Sequence, residues 1–575
     1  MTSYCLASSR TFVDNQEMFV REKTAKGHAY LYLVESVREG GRVRQRIIRA
    51  LGRKDALLAS GELERLAAAF ARYTERAVVL SEMAAGRLAC IRIGGPLLFG
   101  RLWERLGLPE VLADLLGGRG FEFPVERAVF ASVLHRLFVS GSDRACEKWM
   151  ADYAIPGADG LQLHHLYRAM AWLGEELPTK EQDDRTPFAP RCVKDLIEER
   201  LFERRRDLFS DLAVVFMDTT TLAFQGAGGE TLGARGHSKD HRPDLKQMVL
   251  GVVIDRDGRP ICTEMVPGNT ADVTVLLPVV DRLRRRFGVG RVCVVADRGM
   301  ISQATMAALE ARGFEYILGV RERTDRLVRT VVLADERPFT PLLITRQRGE
   351  TQLFVKEVMV DEVRYVVARN EAEAEKDRAD RQAIVAGLEK QLGRGDKALI
   401  GNSAYRRYLR RIRTTNDEQS GPAFEIDVGK LAEEARFDGI FVLRTNARLT
   451  PLQAVLRYRD LLQVEDLFRR AKAILRTRPI YHAADAAIRG HVFCSFLALI
   501  LQKELADRCR AAGLAVEWAD LVRDLDQLQQ ATIEQDGKRI TTRTALTGQV
   551  GRVFQAAGVA LPPNLREHPA RTRGR

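Results

Sequence analysis

The sequence predicts an α/β protein, a mixed sheet with helices packed on it, and three observations carry that reading. Short apolar runs end in turn residues at Leu212 to Met217, Gln247 to Ile254 and Ile261 to Val266, with Asp255-Arg-Asp-Gly between the second and third. Helical periodicity then alternates with strands: a helix from Val273 to Phe287, a strand from Val292 to Ala296, a helix from Gln303 to Arg312 and a strand from Tyr316 to Val320. Upstream, from Leu97 to about Asp207, the apolar period is helical throughout, so an all-α region precedes the sheet.

The 575 residues suffice for about three or four domains. Ordinary globular composition, 46% apolar and 29% charged, excludes disorder throughout and collagen-like structure. A formal charge of +13 favours a polyanionic partner such as nucleic acid. Met1 to Gln16 has no continuous apolar run, and Val492 to Leu501 is about half the ~20 residues of a membrane span. The expectation is a soluble cytoplasmic protein, not exported. Eight scattered cysteines without a C-x-x-C pair read as buried thiols, not zinc ligands or a disulfide framework. The close histidine pairs His164-His165 and His237 with His241 lack a third ligand at metal spacing.

In chain order, Ala29 to Arg49 alternates around Gly40-Gly41 as a β-hairpin, within an N-terminal region of hairpin and helical linker at 1–90. The all-α region, 91–207, takes Trp103, Trp149 and Trp172 as core and is a candidate for DNA binding, while Pro178 to Pro190 reads as a linker. The sheet region begins at 208. After Val320 the alternation continues through Leu327 to Leu333, Leu342 to Arg346, Gln352 to Val360 and Val363 to Arg369, followed by a charged helix from Glu371 to about Lys390. Helical periodicity resumes in Leu452 to Ile474 and Ala487 to Arg508, so 321–445 reads as a β-rich insertion with helices between 208–320 and 446–510. Residues 511–575 form a C-terminal helical region ending in a basic tail.

Asp218 ends the first strand of the sheet region and Asp297 the fourth. A carboxylate at the end of a buried apolar run must be capped by donors or face a cation. Two on neighbouring strands suit hard divalent ions such as Mg²⁺ or Mn²⁺. Tyr458, Glu465 and Lys472 recur at intervals of seven and share a helix face, and Arg469, Arg470, Lys472, Arg476 and Arg478 crowd the sequence just after Glu465. Such basic density beside a carboxylate suits a site that holds phosphates next to metal ions.

The ordered set Asp218, Asp297 and Glu465, with Tyr458, Lys472, Gly268-Asn-Thr-Ala-Asp272 and Arg478-Pro-Ile-Tyr-His482, resembles the DDE transposases of bacterial insertion sequences. The resemblance covers about Asp211 to Leu505 and is to the branch with Y-x2-R-x3-E-x6-K around the glutamate and a long insertion before it. It implies a ribonuclease-H-like (retroviral-integrase-like) catalytic domain interrupted by the insertion. It further implies that Asp218, Asp297 and Glu465 hold Mg²⁺ or Mn²⁺, two ions about 4 Å apart, for in-line phosphoryl transfer. The partners implied are double-stranded DNA, both transposon terminal inverted repeats and target, with a homodimer as the active form, nucleoid-associated and with no membrane. The alternatives are a catalytically inactive DNA-binding relative and a nuclease or resolvase on the same fold. Where the branch has an arginine three residues after Tyr458, this chain has Leu461, which leaves Arg457, Arg459 or Arg469 for that phosphate contact.

Tyr458, Arg469, Lys472, Lys239 and Lys246 are expected DNA contacts, the two lysines from the polar segment Gly236 to Gln247. In Ala404 to Arg413 five arginines interleave with Tyr405 and Tyr408 without an acid, so Arg406 and Arg410 are further candidates for tracking phosphates. Arg282, Arg284, Arg285 and Arg286 form another cluster, read as a plain surface helix. No tryptophan lies in 321–445, so an aromatic stacking on a flipped base there must be Phe354, Tyr365, Tyr405 or Tyr408.

Overall fold

The computed structural model describes residues 18–25, 27–39, 42–71, 88–139, 141–183, 185–205, 214–239, 242–288, 293–296, 302–320, 325–346, 349–392, 408–412, 423–461, 480–535 and 538–568. The chain divides into two compact units, one of 1–88 with 533–539 and 569–575, the other of 89–532 with 540–568. In the first unit three antiparallel strands, β1 (Met18–Ala25), β2 (His28–Glu39) and β3 (Arg42–Arg53), precede short helices at Lys54–Ala59 and Glu62–Ala71. The expected hairpin is β2 with β3. The additional strand β1, MFVREKTA, is exposed along its whole length, so it carries no buried alternation to reveal it.

In the larger unit the upstream helices include α1 (Gly94–Arg105), α2 (Leu108–Leu115), α3 (Val125–Phe138), α4 (Asp143–Met150), α5 (Leu163–Leu173) and α6 (Val193–Arg205). Trp103, Trp149 and Trp172 are buried among them as expected. The stretch from Pro178 to Pro190 is folded rather than a linker. Gln182 donates to the carbonyls of Leu177 and Arg191, and the Thr186 hydroxyl accepts from the Ala189 amide.

The sheet strands are β4 (Val214–Ala223), β5 (Gln247–Asp255), β6 (Pro260–Pro267), β7 (Cys293–Ala296), β8 (Glu315–Gly319), β9 (Thr340–Arg346), β10 (Gly349–Val360), β11 (Val363–Asn370) and β12 (Ile440–Thr445). They form one nine-stranded sheet in the order β9-β10-β11-β12-β8-β7-β4-β5-β6. Pairing is antiparallel in β4 with β5 and β5 with β6, parallel in β4 with β7 and β7 with β8, and antiparallel again from β8 outward. The strands of 321–445 therefore extend the same sheet. The Leu327 to Leu333 run, expected to alternate as a strand, is instead a π-helical turn at Val328–Val332 that buries Val328 and Val332. The turn between β10 and β11 puts Asp361 and Glu362 at φ 46° and 64°, the left-handed pair that a two-residue hairpin needs.

The helices of this part include α7 (Asp272–Phe287), α8 (Gln303–Ala311), α9 (Glu371–Leu392), α10 (Pro451–Asp460) and α11 (Asp485–Ala511). Each strand divides its side chains between two cores, as a period of two requires. Val215 and Met217 of β4 and Val294 and Ala296 of β7 pack with Val275, Leu276 and Leu309 of α7 and α8. Phe216 and Leu222 of β4 and Cys293 and Val295 of β7 join the other core, with Ala454 and Val455 of α10 and Val492 and Phe493 of α11. That core also contains Trp103, Leu134 and Trp172, so α11 is shared between the helical region and the sheet. Helix α11 is long and apolar enough to cross a membrane, but 89% of its apolar window is buried, which makes it a core helix. Within the C-terminal region read as helical with a basic tail, Leu565–His568 is a strand, which places Arg566 in regular structure.

Candidate active site

Asp218 is half-buried within β4 and does not end it as expected, because Thr219 to Ala223 stay paired with β5; its Oδ1 accepts from the Thr219 amide at 2.7 Å. Beside it, the parallel register runs from Val214 against Cys293 to Met217 against Ala296. Asp218 and Asp297 are each the next residue after that last pair. Asp297, Glu465, Arg469, Lys472 and Arg406 lie outside the described residues.

The chain leaves the described structure at Leu461 and returns at Ile480, and both ends are anchored. Thr450 caps α10 in a capping box with Gln453, which starts the helix before Pro451. Tyr458, about two turns on, is half-buried with its ring 6.2 Å from Phe441, and its hydroxyl occupies the space a Cβ would need at Gly319 on β8. Leu461 is only 5% exposed and sits in the core. An arginine there would bury an unpaired charge, so this chain's departure from Y-x2-R follows from how α10 meets the sheet. On the return, Ile480 bridges Phe224 at the end of β4, and the Gln225 amide donates to the Ile480 carbonyl at 3.2 Å.

The polar segment between β4 and β5 folds onto the Gly268 to Asp272 phrase. Ala234 pairs with Gln247, whose Nε2 donates to the His237 carbonyl at 2.8 Å, and a Cβ at Gly236 would collide with the Gly268 carbonyl. Lys239 thereby reaches β4. Its Nζ donates to the Thr219 carbonyl at 2.7 Å and to Thr219 Oγ1 at 2.9 Å, and lies 3.1 Å from Asp272 Oδ2. Lys246 differs: its exposed Nζ meets the Ala227 carbonyl at 3.1 Å. Arg410 lies on a strand, Leu409–Ile412, and antiparallel pairing brings Glu425 to 2.9 Å from its Nε. Local sequence could not show that acid. Tyr365 and Tyr408 are buried in hydrophobic clusters, which removes them from the candidates for base stacking and leaves Phe354 and Tyr405, the latter outside the described residues.

Two groupings escaped the sequence. Arg282 and Arg286, read as surface residues, are buried instead, while Arg284 and Arg285 are exposed. Arg282 meets Asp195 at 2.9 Å and Glu264 at 2.8 Å. Arg286 meets Glu198 at 2.8 Å and Glu199 at 2.7 Å. The i, i+4 spacing of the two arginines was the available signal, but their acids come from α6 and β6.

The second grouping is Asp143, His482 and His491. His482 Nε2 lies 2.9 Å from Asp143 Oδ2, and Arg136 Nη2 donates to His491 Nδ1 at 2.9 Å while standing 3.7 Å from Asp143 Oδ1. Burial opposes ionisation of Asp143, yet the histidine hydrogen bonds and Arg136 hold its carboxyl well below the usual range. Burial and Arg136 push His491 down. The guanidinium already occupies the imidazole lone pair and supplies the positive charge, so these residues do not fit a divalent ion. The carboxylates at 218, 297 and 465 offer only oxygen donors, the set that Mg²⁺ or Mn²⁺ prefers.

Residues 210–501, a little over half the chain, match the profile described as the transposase DDE domain, and residues 20–83 match that of the IS1634 family transposase N-terminal domain. The chain belongs to the DDE transposases. It is a DNA transposase of the insertion-sequence type, an enzyme of a family that uses divalent metal. No curated protein matches it. Among solved structures it is similar to a piggyBac transposase synaptic complex with hairpin DNA, at 10% identity over 75% of this chain and 77% of that one, with a TM-score of 0.33. It is also similar to a Mos1 transposase paired-end complex with the left transposon end, at 14% identity over 34% and 60%, with a TM-score of 0.14.

Proposed function

We propose that this transposase cuts the ends of its insertion sequence and joins them to target DNA, with Asp218, Asp297 and Glu465 as the metal-binding carboxylates of a ribonuclease-H-like domain. One observation carries the reading: strand parity. Phe216 and Leu222 of β4 and Cys293 and Val295 of β7 face the core that contains α10. Asp218 shares the parity of Phe216 and Leu222, and if the alternation of β7 continues by two residues past Val295, Asp297 would lie beside it on the same face, on strands about 4.8 Å apart. The two residues that flank the Glu465 segment, Leu461 and Ile480, both pack in that core, and Ile480 bridges Phe224 at the end of β4. The strand order β6-β5-β4-β7-β8, two antiparallel pairings followed by two parallel ones, supports the ribonuclease-H-like assignment.

Divalent ions held by these carboxylates would activate the attacking water or 3′-hydroxyl and stabilise the leaving oxygen of an in-line displacement. The chain's own residues orient them. Packing of Met217 and Ala296 fixes the two strands just ahead of both carboxylates, and the anchors at Leu461 and Ile480 limit where Glu465 can lie. Arg469, Lys472, Lys246 and exposed Tyr481 would then meet the DNA backbone, in a complex we read as a homodimer acting on inverted repeats in the bacterial cytosol. The test is cleavage of a labelled transposon end in Mg²⁺ beside a binding gel. Asp218→Asn, Asp297→Asn and Glu465→Gln should each lose cleavage by orders of magnitude with end binding kept, whereas Asp466→Asn should cleave. Near-parent cleavage by Asp297→Asn would sink the assignment.

A further inference from the structure

Among the described residues, Lys239 is the one lysine whose side chain is tied to the strand of Asp218, and its bonds differ from those of a DNA contact. We propose that Lys239 is a positioning residue for Asp218, acting as a three-way clamp with Thr219 and Asp272; the inference rests on the catalytic reading above. All three ammonium donors have partners inside the protein: the Thr219 carbonyl, Thr219 Oγ1 and Asp272 Oδ2. The Lys239 amide adds a bond to Thr221 Oγ1 at 3.0 Å, so side chain and backbone grip the same strand. The clamp sits where β4 needs it. The last described parallel pair is Met217 with Ala296, and Thr219 lies two residues beyond it, immediately after Asp218.

Alternation puts Thr219 on the α7 side of the sheet with Val215 and Met217, opposite Asp218. Lys239 therefore braces the strand from behind. Asp272 supplies the third point and is fixed in turn as the first residue of α7, where a carboxylate is favoured at the helix N-terminus. Its side chain is 26% exposed and that of Lys239 33%, so the pair is partly sheltered but not sealed. The Gly236 to Lys239 phrase and the Gly268 to Asp272 phrase thus meet at one device, which holds the Asp218 backbone between the loop, the helix and the strand.

The experiment is a Mg²⁺ titration of end cleavage by the full-length protein, with the salt dependence of end binding measured in parallel. Lys239→Met should raise the Mg²⁺ concentration for half-maximal cleavage by about 10-fold or more, as loss of groups supporting a metal ligand does. The salt slope of binding should stay at the parent value. Asp272→Asn, nearly isosteric, should shift the titration in the same direction, and the double variant should be no worse than the stronger single, because both break one device. This second variant carries the test if Lys239→Met does not accumulate as folded protein. An unchanged Mg²⁺ midpoint together with a salt slope reduced by about one would overturn the clamp and make Lys239 a phosphate contact. Asp218→Asn runs beside them: if it is inactive while Lys239→Met titrates normally, this inference alone fails, and if it cleaves, the catalytic reading beneath it fails.

Discussion

Replacing Arg286 with Met tests whether the buried charge cluster behind the sheet is held as one unit. Arg191, Lys194, Arg282 and Arg286 face Asp195, Glu198, Glu199 and Glu264, four cations against four carboxylates. Arg286 alone donates to Glu199, to Glu198 and to the Asp195 carbonyl, and its side chain has no exposure. Methionine fills most of the volume but leaves one buried negative charge unmatched. Breaking a buried pair in this way costs roughly 3–5 kcal/mol, a large share of the ~5–15 kcal/mol that holds a typical domain. The exposed neighbour Arg285→Met should cost no more than about 1 kcal/mol, the scale of a solvent-exposed interaction.

The pH dependence has a definite sign. Burial already raises the Glu198 carboxyl, and losing Arg286 raises it further. A carboxyl whose folded pKa exceeds its unfolded value, about 4.3, weakens the fold above that folded pKa, and the penalty fades as pH falls towards the unfolded value. The thermal-unfolding gap between Arg286→Met and Arg285→Met should therefore be widest at neutral pH and narrow on acidification. Equal melting temperatures for the two at pH 7 would refute the cluster's role.

Other expectations follow from single contacts. Leu461→Arg, which restores the branch's usual residue, should lower the melting temperature and yield of soluble protein, because it puts a guanidinium into the core beside α10; a variant as stable as the parent would show that position 461 can reach solvent. Gly319→Val should displace Tyr458 and reduce cleavage without loss of end binding, while Gly313→Val, at an open turn with φ 70°, should cost backbone strain alone and spare the cleavage rate of the folded fraction. Asp143→Asn removes the charge that offsets Arg136 beside His482, so it should destabilise the protein without changing the Mg²⁺ midpoint; a changed midpoint would connect that cluster to the metal site.

Much of the sheet was legible because its strands are bounded by turns and its helices by apolar period. Predicted limits such as Val363 to Arg369 and Gln303 to Arg312 lie within a residue or so of the observed β11 and α8. The candidate carboxylates were legible for a related reason, since an acid ending an apolar run stands out in any sequence. What failed involved partners distant in the chain. Arg282 and Arg286 looked like surface charge because Asp195 is 87 residues from Arg282, and the acid facing Arg410 comes from a strand that only the antiparallel register brings near. His482 and His491 have no close histidine neighbour in sequence, and Asp143 lies in a helix far upstream. Leu461 was visible as a departure from a motif, but its cause, burial against the sheet, is a property of packing.

The central claim is that the metal site lies on the sheet face shared by Asp218 and Asp297 and not at the Asp143, His482 and His491 group. Backbone cleavage by Fe²⁺ replacing Mg²⁺, with ascorbate and peroxide and the cuts mapped by mass spectrometry, tests it without requiring DNA turnover. The account predicts cuts around 218, 297 and 465, each suppressed by excess Mg²⁺ and lost in Asp218→Asn. Cuts confined to the neighbourhoods of 143, 482 and 491, unaffected by Asp218→Asn, would contradict it.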